Sequence, residues 1–261
     1  NIDSSSHTSN MSTAGAFNVS VNSGNALTVT GLGNVGIGTS SPQSKLHVFT
    51  SSGISGSSGS LYFNGANYLQ VPTGSGNLGS GSWTVECWWK ANGSQSNYAT
   101  LIQQNFTGSP TSGSWALKVS TTSQVVQFTY GSLVNITTSS NVNDGNWHHI
   151  AVTSNGTTLT IWIDGVSAAT AGVSGITFGG TGAVTYVGYN QRDVTYINGW
   201  LTNLRVVSGT AVYTSNFTPS TSTLTAITNT ILLLGAASSG AAFTDSSTNN
   251  YTITNTGSVT Y

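Results

Sequence analysis

The chain has 261 residues, enough for one β-sandwich with a small appendage but short for two complete globular domains. Asp, Glu, Lys and Arg make up only 4% of it, against about a quarter in ordinary globular proteins, and the formal net charge is -1. Its five basic side chains, Lys45, Lys90, Lys118, Arg192 and Arg205, are scattered, which excludes nucleic acid as the expected partner, and no apolar run approaches the roughly 20 residues that span a bilayer.

Residues 1 to 56 differ from the remainder of the chain. They hold no tryptophan, and their apolar alternation rests on Phe17, Val19, Val21, Leu27 and Val29 in short runs broken by Asn-Ser-Gly and Gly-Leu-Gly. Strands this thin bury little alone, so the segment reads as an arm or stalk that stacks on copies of itself or on a partner surface. Gly33, Gly36 and Gly38 do not make a phosphate loop, because Ser40-Ser41-Pro42 and the strand-like Leu46-His47-Val48 follow where a helix would have to open. His7 and His47 lack the further ligands of a zinc site.

After a Ser/Gly linker, Ser51 to Gly59, strands are expected near 60-64, 67-71, 82-90, 98-104, 114-119, 124-130, 147-153, 157-163, 166-170, 184-189, 195-206 and 230-234. The clearest stretch is Trp147 to Gly165. There Ile150 and Val152 alternate with His149, Ala151 and Thr153, and Leu159, Ile161 and Ile163 repeat the pattern beyond Asn155-Gly156, whose positive φ angles, like those of Asp164-Gly165, tight hairpin turns require. A surface apolar on one side must pack on a second sheet, so the fold class is all-β, a two-sheet antiparallel sandwich with an N-terminal β arm or stalk. Trp88, Trp89, Trp162 and Trp200 are expected in the core or between the sheets. Cys87, between Val85 and Trp89 on one strand face, is expected to be a small core residue, and a lone cysteine forms no internal disulfide. Thr210 to Phe217 offers a turn or two of helix at most before Pro219.

Candidates for chemistry are few. Glycosidic hydrolysis needs paired carboxylates, yet the chain has six Asp and Glu in all, no strand holds two, and Glu86 is the only glutamate, expected to pair with a nearby cation or backbone donor. His148 and His149 are adjacent on a strand and so face opposite sides. No GxSxG elbow is present, and an enzyme is not expected. For ligand binding the loop Gly188 to Trp200 stands out, concentrating Tyr189, Asn190, Gln191, Arg192, Asp193 and Tyr196: aromatic faces for stacking on a sugar and planar polar groups for its hydroxyls. An equal alternative is that Arg192 and Asp193 pair at a subunit contact while the tyrosines pack.

Four segments, SLYFNGANYLQVP (Ser60 to Pro72), SWTVECWWK (Ser82 to Lys90), WHHIAVT with LTIWIDG, and YVGYN with INGWLTNLRV (Tyr186 to Val206), resemble in order the laminin G-like domains of the concanavalin A-like jelly-roll superfamily, over most of residues 57 to 261. Ser208 to Leu234 and Phe243 to Val259 resemble the version of the domain found in phage virion proteins of cyanobacterial and marine phages, and Gly31 to Val48 resembles a linker of phage tail-fibre shafts. The resemblance implies a jelly roll whose C-terminal segment, Phe243 to Tyr261, returns beside its first strand. It further implies a virion protein at the outer surface of the particle, a tail or head fibre or a capsid decoration protein. Residues 1-56 would attach it to other virion proteins, with self-association as a homotrimer, and the sandwich would adhere to host-surface glycan. A bacterial surface adhesin or secreted carbohydrate-binding module is the alternative. Many such domains hold calcium at a rim, which singles out Asp245 in DSSTNN as a metal ligand, the other reading being a cap for its own turn.

Overall fold

Alternation of apolar with polar residues sets the strands of this chain. The structure, a computed structural model, describes residues 17–21, 24–29, 35–37, 46–48, 59–105, 114–119, 125–180, 182–235 and 243–261. The chain divides into two compact units, Asn1–Ser55 and Gly56–Tyr261. In the first, β1 (Phe17–Val21), β2 (Gly24–Val29), β3 (Val35–Ile37) and β4 (Leu46–Val48) form one sheet in that order. Phe17 lies opposite Val29 and Val19 opposite Leu27, and the last pair, β3 with β4, is parallel. Gly36 sits within β3 opposite His47, in paired strands rather than at a helix start. His7, Gly33, Gly38 and the expected linker up to residue 58 lie outside the described residues.

The second unit continues with β5 (Leu61–Asn64), β6 (Tyr68–Val71), β7 (Ser82–Ala91), β8 (Ala99–Asn105), β9 (Trp115–Val119) and β10 (Val125–Tyr130). Then come β11 (Val134–Asn141), β12 (Trp147–Asn155), β13 (Thr158–Ile163), β14 (Val166–Gly172), β15 (Val184–Val187), β16 (Tyr189–Asn190) and β17 (Thr195–Tyr196). β18 (Asn198–Ser208), β19 (Thr230–Leu234) and β20 (Thr254–Thr256) complete it. Two seven-stranded antiparallel sheets result among the described residues. A front sheet runs β11-β10-β9-β8-β15-β6-β20, and a back sheet runs β14-β13-β12-β7-β18-β19 with β5 also on β18. This is the jelly-roll sandwich that the alternation and the resemblance lead one to expect, and no helix is long and apolar enough to cross a membrane among the described residues.

The core lies between the sheets. Trp83, Trp89, Trp115, Phe63, Phe128 and Phe178 are its largest fully buried side chains. Trp83 stacks on Phe128 at 5.6 Å and meets the edge of Phe178 at 5.1 Å, while Trp115 donates its indole N–H to the Gly76 carbonyl at 2.8 Å, so its polar end is satisfied where the ring is buried. Cys87 is a buried member of this core, and burial pushes its thiol far above the ordinary range, first through desolvation and then through the neighbouring Glu86 charge.

Several local expectations need correction. Of the four tryptophans expected inside, only Trp89 is in the intersheet core; Trp162 is buried on the outer face of the back sheet, and Trp88 and Trp200 are half-buried there. β11 went unrecognised because Thr138 stands where an apolar residue would complete its alternation with Val134 and Ile136. At the first hairpin only Gly156 has positive φ; Asn155 instead accepts hydrogen bonds from the backbone N–H groups of Thr157 (3.0 Å) and Thr158 (2.8 Å). At the second, Asp164 (φ 52°) and Gly165 (φ 80°) are both left-handed, as a type I′ turn demands. The Thr210 to Phe217 segment is bends and coil, without a helical turn. The C-terminal segment does return: Thr260 bridges Tyr62 in the first strand, while β20 pairs with β6.

The middle of the back sheet does not present its polar face to water. Residues 209–225 cross its outer face as a strap. Thr84 donates its hydroxyl to the Thr210 carbonyl (2.9 Å) and accepts the Val212 N–H (2.9 Å), Trp88 donates to the Ser220 carbonyl (2.9 Å), and Asn203 clasps Ser222 and Leu224. Beneath the strap, Glu86 is fully buried. Arg205 donates two N–H groups to its Oε1 (2.8 and 2.5 Å), Tyr213 donates its hydroxyl to Oε2 (2.7 Å), and His149 Nε2 lies 3.2 Å from the same oxygen. Burial pushes this carboxyl up, but the His149 contact, the Arg205 charge and the Tyr213 hydroxyl outweigh it and hold the group below the usual carboxylate value. Tyr213 and Phe217 stack at 3.6 Å with Phe217 edge-on to His149 and Trp162. Glu86 is thus the internal anchor of a lid of chain, consistent with its expected structural pairing.

Candidate functional site

Among the described residues the outer face of the front sheet stays open, and the register decides what it displays. Asn135, Thr129, Ala116, Gln103, Tyr186, Gln70 and Thr254 lie opposite one another in succession across all seven strands. A neighbouring row runs Thr137, Gln127, Lys118 and Thr100. Residues directly opposite in a sheet share a face, so these rows form an amide- and hydroxyl-rich floor. Gln127 ties the rows together, donating to Asn135 Oδ1 (3.0 Å) and Thr137 Oγ1 (3.4 Å).

The loop between β15 and β18 forms one wall. It leaves the sheet at Gly188, whose φ of 83° and closeness to the Phe63 ring leave no room for a side chain. Asn190, only 2% exposed, then organises the turn: its Oδ1 accepts the N–H groups of Arg192 and Asp193 (both 3.1 Å), and its Nδ2 donates to the Tyr98 carbonyl and to Asp193 Oδ2 (both 3.0 Å). The result is a cleft of about 390 Å³ that Tyr98, Gln103, Lys118, Gln127, Arg192 and Asp193 line, with the small Ala116 at its base. Lys118 places its Nζ 5.5 Å from the Tyr98 ring centroid. Burial pushes its ammonium below the ordinary lysine value, Asp193 opposes that shift and Arg192 adds to it.

Gln103 is the most informative residue of the cleft. It is 5% exposed, yet its Nε2 has no hydrogen-bond partner among the described residues. A buried amide N–H₂ without a partner costs about 1–3 kcal/mol, a state that Trp83 Nε1, Asn143 Nδ2, His149 Nδ1 and Thr185 Oγ1 share among the described residues.

The six residues singled out on the 188–200 loop therefore divide. Asn190, Arg192 and Asp193 line the cleft, with Asn190 spent on holding the turn. Tyr189 and Tyr196 stack on one another at 4.8 Å, and Tyr189 also stacks on Tyr68 (4.7 Å) and meets Tyr186 edge-on (5.6 Å), making a half-buried tyrosine cluster. Gln191 is half-buried at the turn. Arg192 and Asp193 form no ion pair with one another among the described residues. Sequence reasoning missed Tyr98, Gln103, Lys118 and Gln127, because they come from separate stretches, before and on β8, on β9 and on β10, and no one stretch concentrates them.

Asp245 is 2% exposed and encircled by donors: Oδ1 accepts the N–H groups of Leu233 and Ser247 (both 2.9 Å), and Oδ2 accepts the Ser247 hydroxyl (2.8 Å) and the Tyr251 N–H (3.0 Å). N–H groups repel a cation, so this donor set fits a turn cap that staples β19 to the C-terminal segment and does not fit calcium. Among the described residues no cluster of His, Cys, Asp and Glu could hold a metal ion. His148 and His149 do diverge: His149 joins Glu86 under the strap, while His148 sits between Asp164 (2.7 Å) and Asp144 (3.1 Å).

Comparison with known proteins fits this architecture. The family profile described as the Concanavalin A-like lectin/glucanases superfamily matches residues 63–215. Among solved structures, a provisionally assigned carbohydrate binding protein of Bacteroides ovatus ATCC 8483 superposes with a TM-score of 0.54 at 16% identity, over 77% of this chain and 61% of that one. The CBM40 of Ruminococcus gnavus IT-sialidase gives 0.46 at 13% identity, over 59% and 91%. Domains LG4-5 of the mouse laminin alpha1 chain give 0.44 at 15%, over 62% and 46%. This chain thus spans less than two thirds of the Bacteroides and laminin chains. At such identities the likeness concerns the fold. No curated protein matches the sequence significantly.

Proposed function

This chain belongs to the Concanavalin A-like lectin/glucanases superfamily, and from that premise we propose that its sandwich is a non-catalytic carbohydrate-binding domain carried on the outside of a phage virion. The observation that carries the binding half is the open cleft of the front sheet, with the Tyr98 ring and the polar side chains of Gln127, Thr129, Lys118 and Arg192 lining it. Sugar hydroxyls are at once donors and acceptors, so a floor of Gln and Thr side chains beside the Tyr98 ring matches them without requiring charge. Asp193 is the single carboxylate of the cleft among the described residues, one short of the pair that glycosidic hydrolysis needs, which supports binding over cleavage.

The virion half rests on the likeness of Gly31 to Val48 and of Ser208 to Val259 to phage fibre and virion sequences. In this reading residues 1–56 hold the chain to other virion proteins and to two further copies of itself, and many weak sites on one particle gain strength from effective concentration. A glycan array probed with the full chain tests the first half: retention on a defined set of glycans, lost in Gln103→Leu, is expected, and silence across the array contradicts it. Light scattering of the same material at a trimer mass, together with labelling of intact particles by antibody against the chain, tests the second; a monomer and unlabelled particles overturn it.

A further inference from the structure

We infer that the front-sheet cleft is built for an anionic glycan, one bearing carboxylate or sulfate, with Lys118 and Arg192 as the groups that hold its negative charge. The inference rests on the reading of this cleft as a sugar site and names the class of sugar. Charge is scarce in this chain, five basic and six acidic residues in 261, so where it is placed matters. Arg205 is bound to Glu86, Lys90 belongs to β7 of the back sheet, and Lys45 falls outside the described residues. The two remaining cations, Lys118 and Arg192, line the same cleft. Neither has a carboxylate within ion-pair distance among the described residues. Asp193, the one acid nearby, already accepts the Asn190 amide at 3.0 Å.

Lys118 is repelled by Arg192 and attracted more strongly by Asp193. With two cations to one carboxylate, the cleft keeps an excess of positive charge that an anion complements. The hydrogen-bond inventory points the same way. An ammonium and a guanidinium line one cleft as donors, and an oxyanion accepts from both. Arg192 can meet a carboxylate or sulfate with two parallel N–H groups, Lys118 meets it as a point charge, and the Tyr98 ring offers a flat apolar surface for the sugar face. Screening makes such recognition salt-sensitive.

The test is an array of glycan pairs, each uronate-bearing oligosaccharide beside its carboxyl-reduced counterpart and each sulfated one beside its desulfated counterpart, probed with the full chain at low and high salt. Retention on the charged members, weakened by salt, is expected, and the uronate and sulfate arms identify which anion is preferred. Lys118→Met and Arg192→Gln, which remove the charge and keep an unbranched stem, should each lower affinity for the charged glycan about tenfold while the thermal transition stays where it was. Equal retention of charged and neutral partners, or unchanged binding by the folded double variant, overturns the anionic assignment and leaves the sugar site standing. No retention of any member overturns the sugar site itself.

Discussion

The two outer faces of this sandwich have opposite fates. On the back sheet the middle of the polar face is covered: Glu86, Arg205 and His149 lie beneath residues 209–225, whose Tyr213 reaches down to the same carboxylate. On the front sheet a comparable row of polar side chains is left uncovered and bounded by the loop that Asn190 holds. In the buried cluster Glu86 accepts from Arg205 and Tyr213 while His149 Nδ1 lacks a partner, and on the front face the Gln103 amide N–H₂ lacks one. Polar residues on a strand face therefore carry no functional meaning by themselves; what separates the two faces is whether the chain covers them.

That contrast can be broken most forcefully at Glu86. Replacing it with alanine strands the Arg205 guanidinium under the strap and should lower stability by about 3–5 kcal/mol in chemical denaturation, while the double change Glu86→Leu with Arg205→Met should recover most of the loss. A single variant as stable as the parent would mean that the cluster is not sealed. Tyr213→Phe removes only the hydroxyl that anchors the strap to Glu86 and should cost about 1–3 kcal/mol, with protease cleavage within residues 209–225 appearing before global unfolding.

At the back sheet's edge the expected effect is smaller and depends on pH. The hydrogen bond to Asp164 raises the His148 pKa, partial burial opposes it, and Asp144 adds to the rise. A raised histidine contributes stability that is complete below its unfolded value of about 6.5 and is lost as pH rises through the higher folded value. Slight burial pushes Asp144 up, but hydrogen bonds from Asn146 and His148 lower it overall, so its contribution is present above about 3.9 and fades as pH falls through the lower folded value. The stability difference between the parent and His148→Asn should accordingly be greatest between these limits, stay below about 1 kcal/mol because the trio is solvent-screened, and vanish in alkaline buffer. A difference that grows with rising pH would contradict the pairing. Smallest of all, Gln127→Ala on the open face should change stability by no more than about 0.5 kcal/mol, whereas retention of glycan should fall.

Much of this architecture is readable in the sequence, since strands with strict alternation, such as β12 and β13, announce both their faces and their turns. β11 is not, because Thr138 fills an inward position that alternation reserves for apolar residues. Glu86 can be recognised as structural from its isolation, but not its partners: Arg205 lies 119 residues away, and Tyr213 reaches it from a segment with no strand period at all. The cleft is legible only in part. A loop dense in Tyr, Asn, Arg and Asp stands out, yet the register sends Tyr189 and Tyr196 into a tyrosine cluster and puts Gln103, Lys118 and Gln127 in their place. Those three sit on consecutive meander strands, β8, β9 and β10, so pairing the expected strands as neighbours and aligning their polar faces is the signal that would have found them.

The most direct test is a titration of the isotope-labelled full chain with an oligosaccharide retained on the array, followed by nuclear magnetic resonance of side-chain amide and indole groups. Shifts should concentrate at Gln103 and Gln127 and in the backbone of Arg192 and Asp193, leaving the indoles of Trp88 and Trp162 on the strap side unmoved. Shifts at those indoles with a silent Gln103 would place the ligand on the covered face and contradict the assignment of the open one.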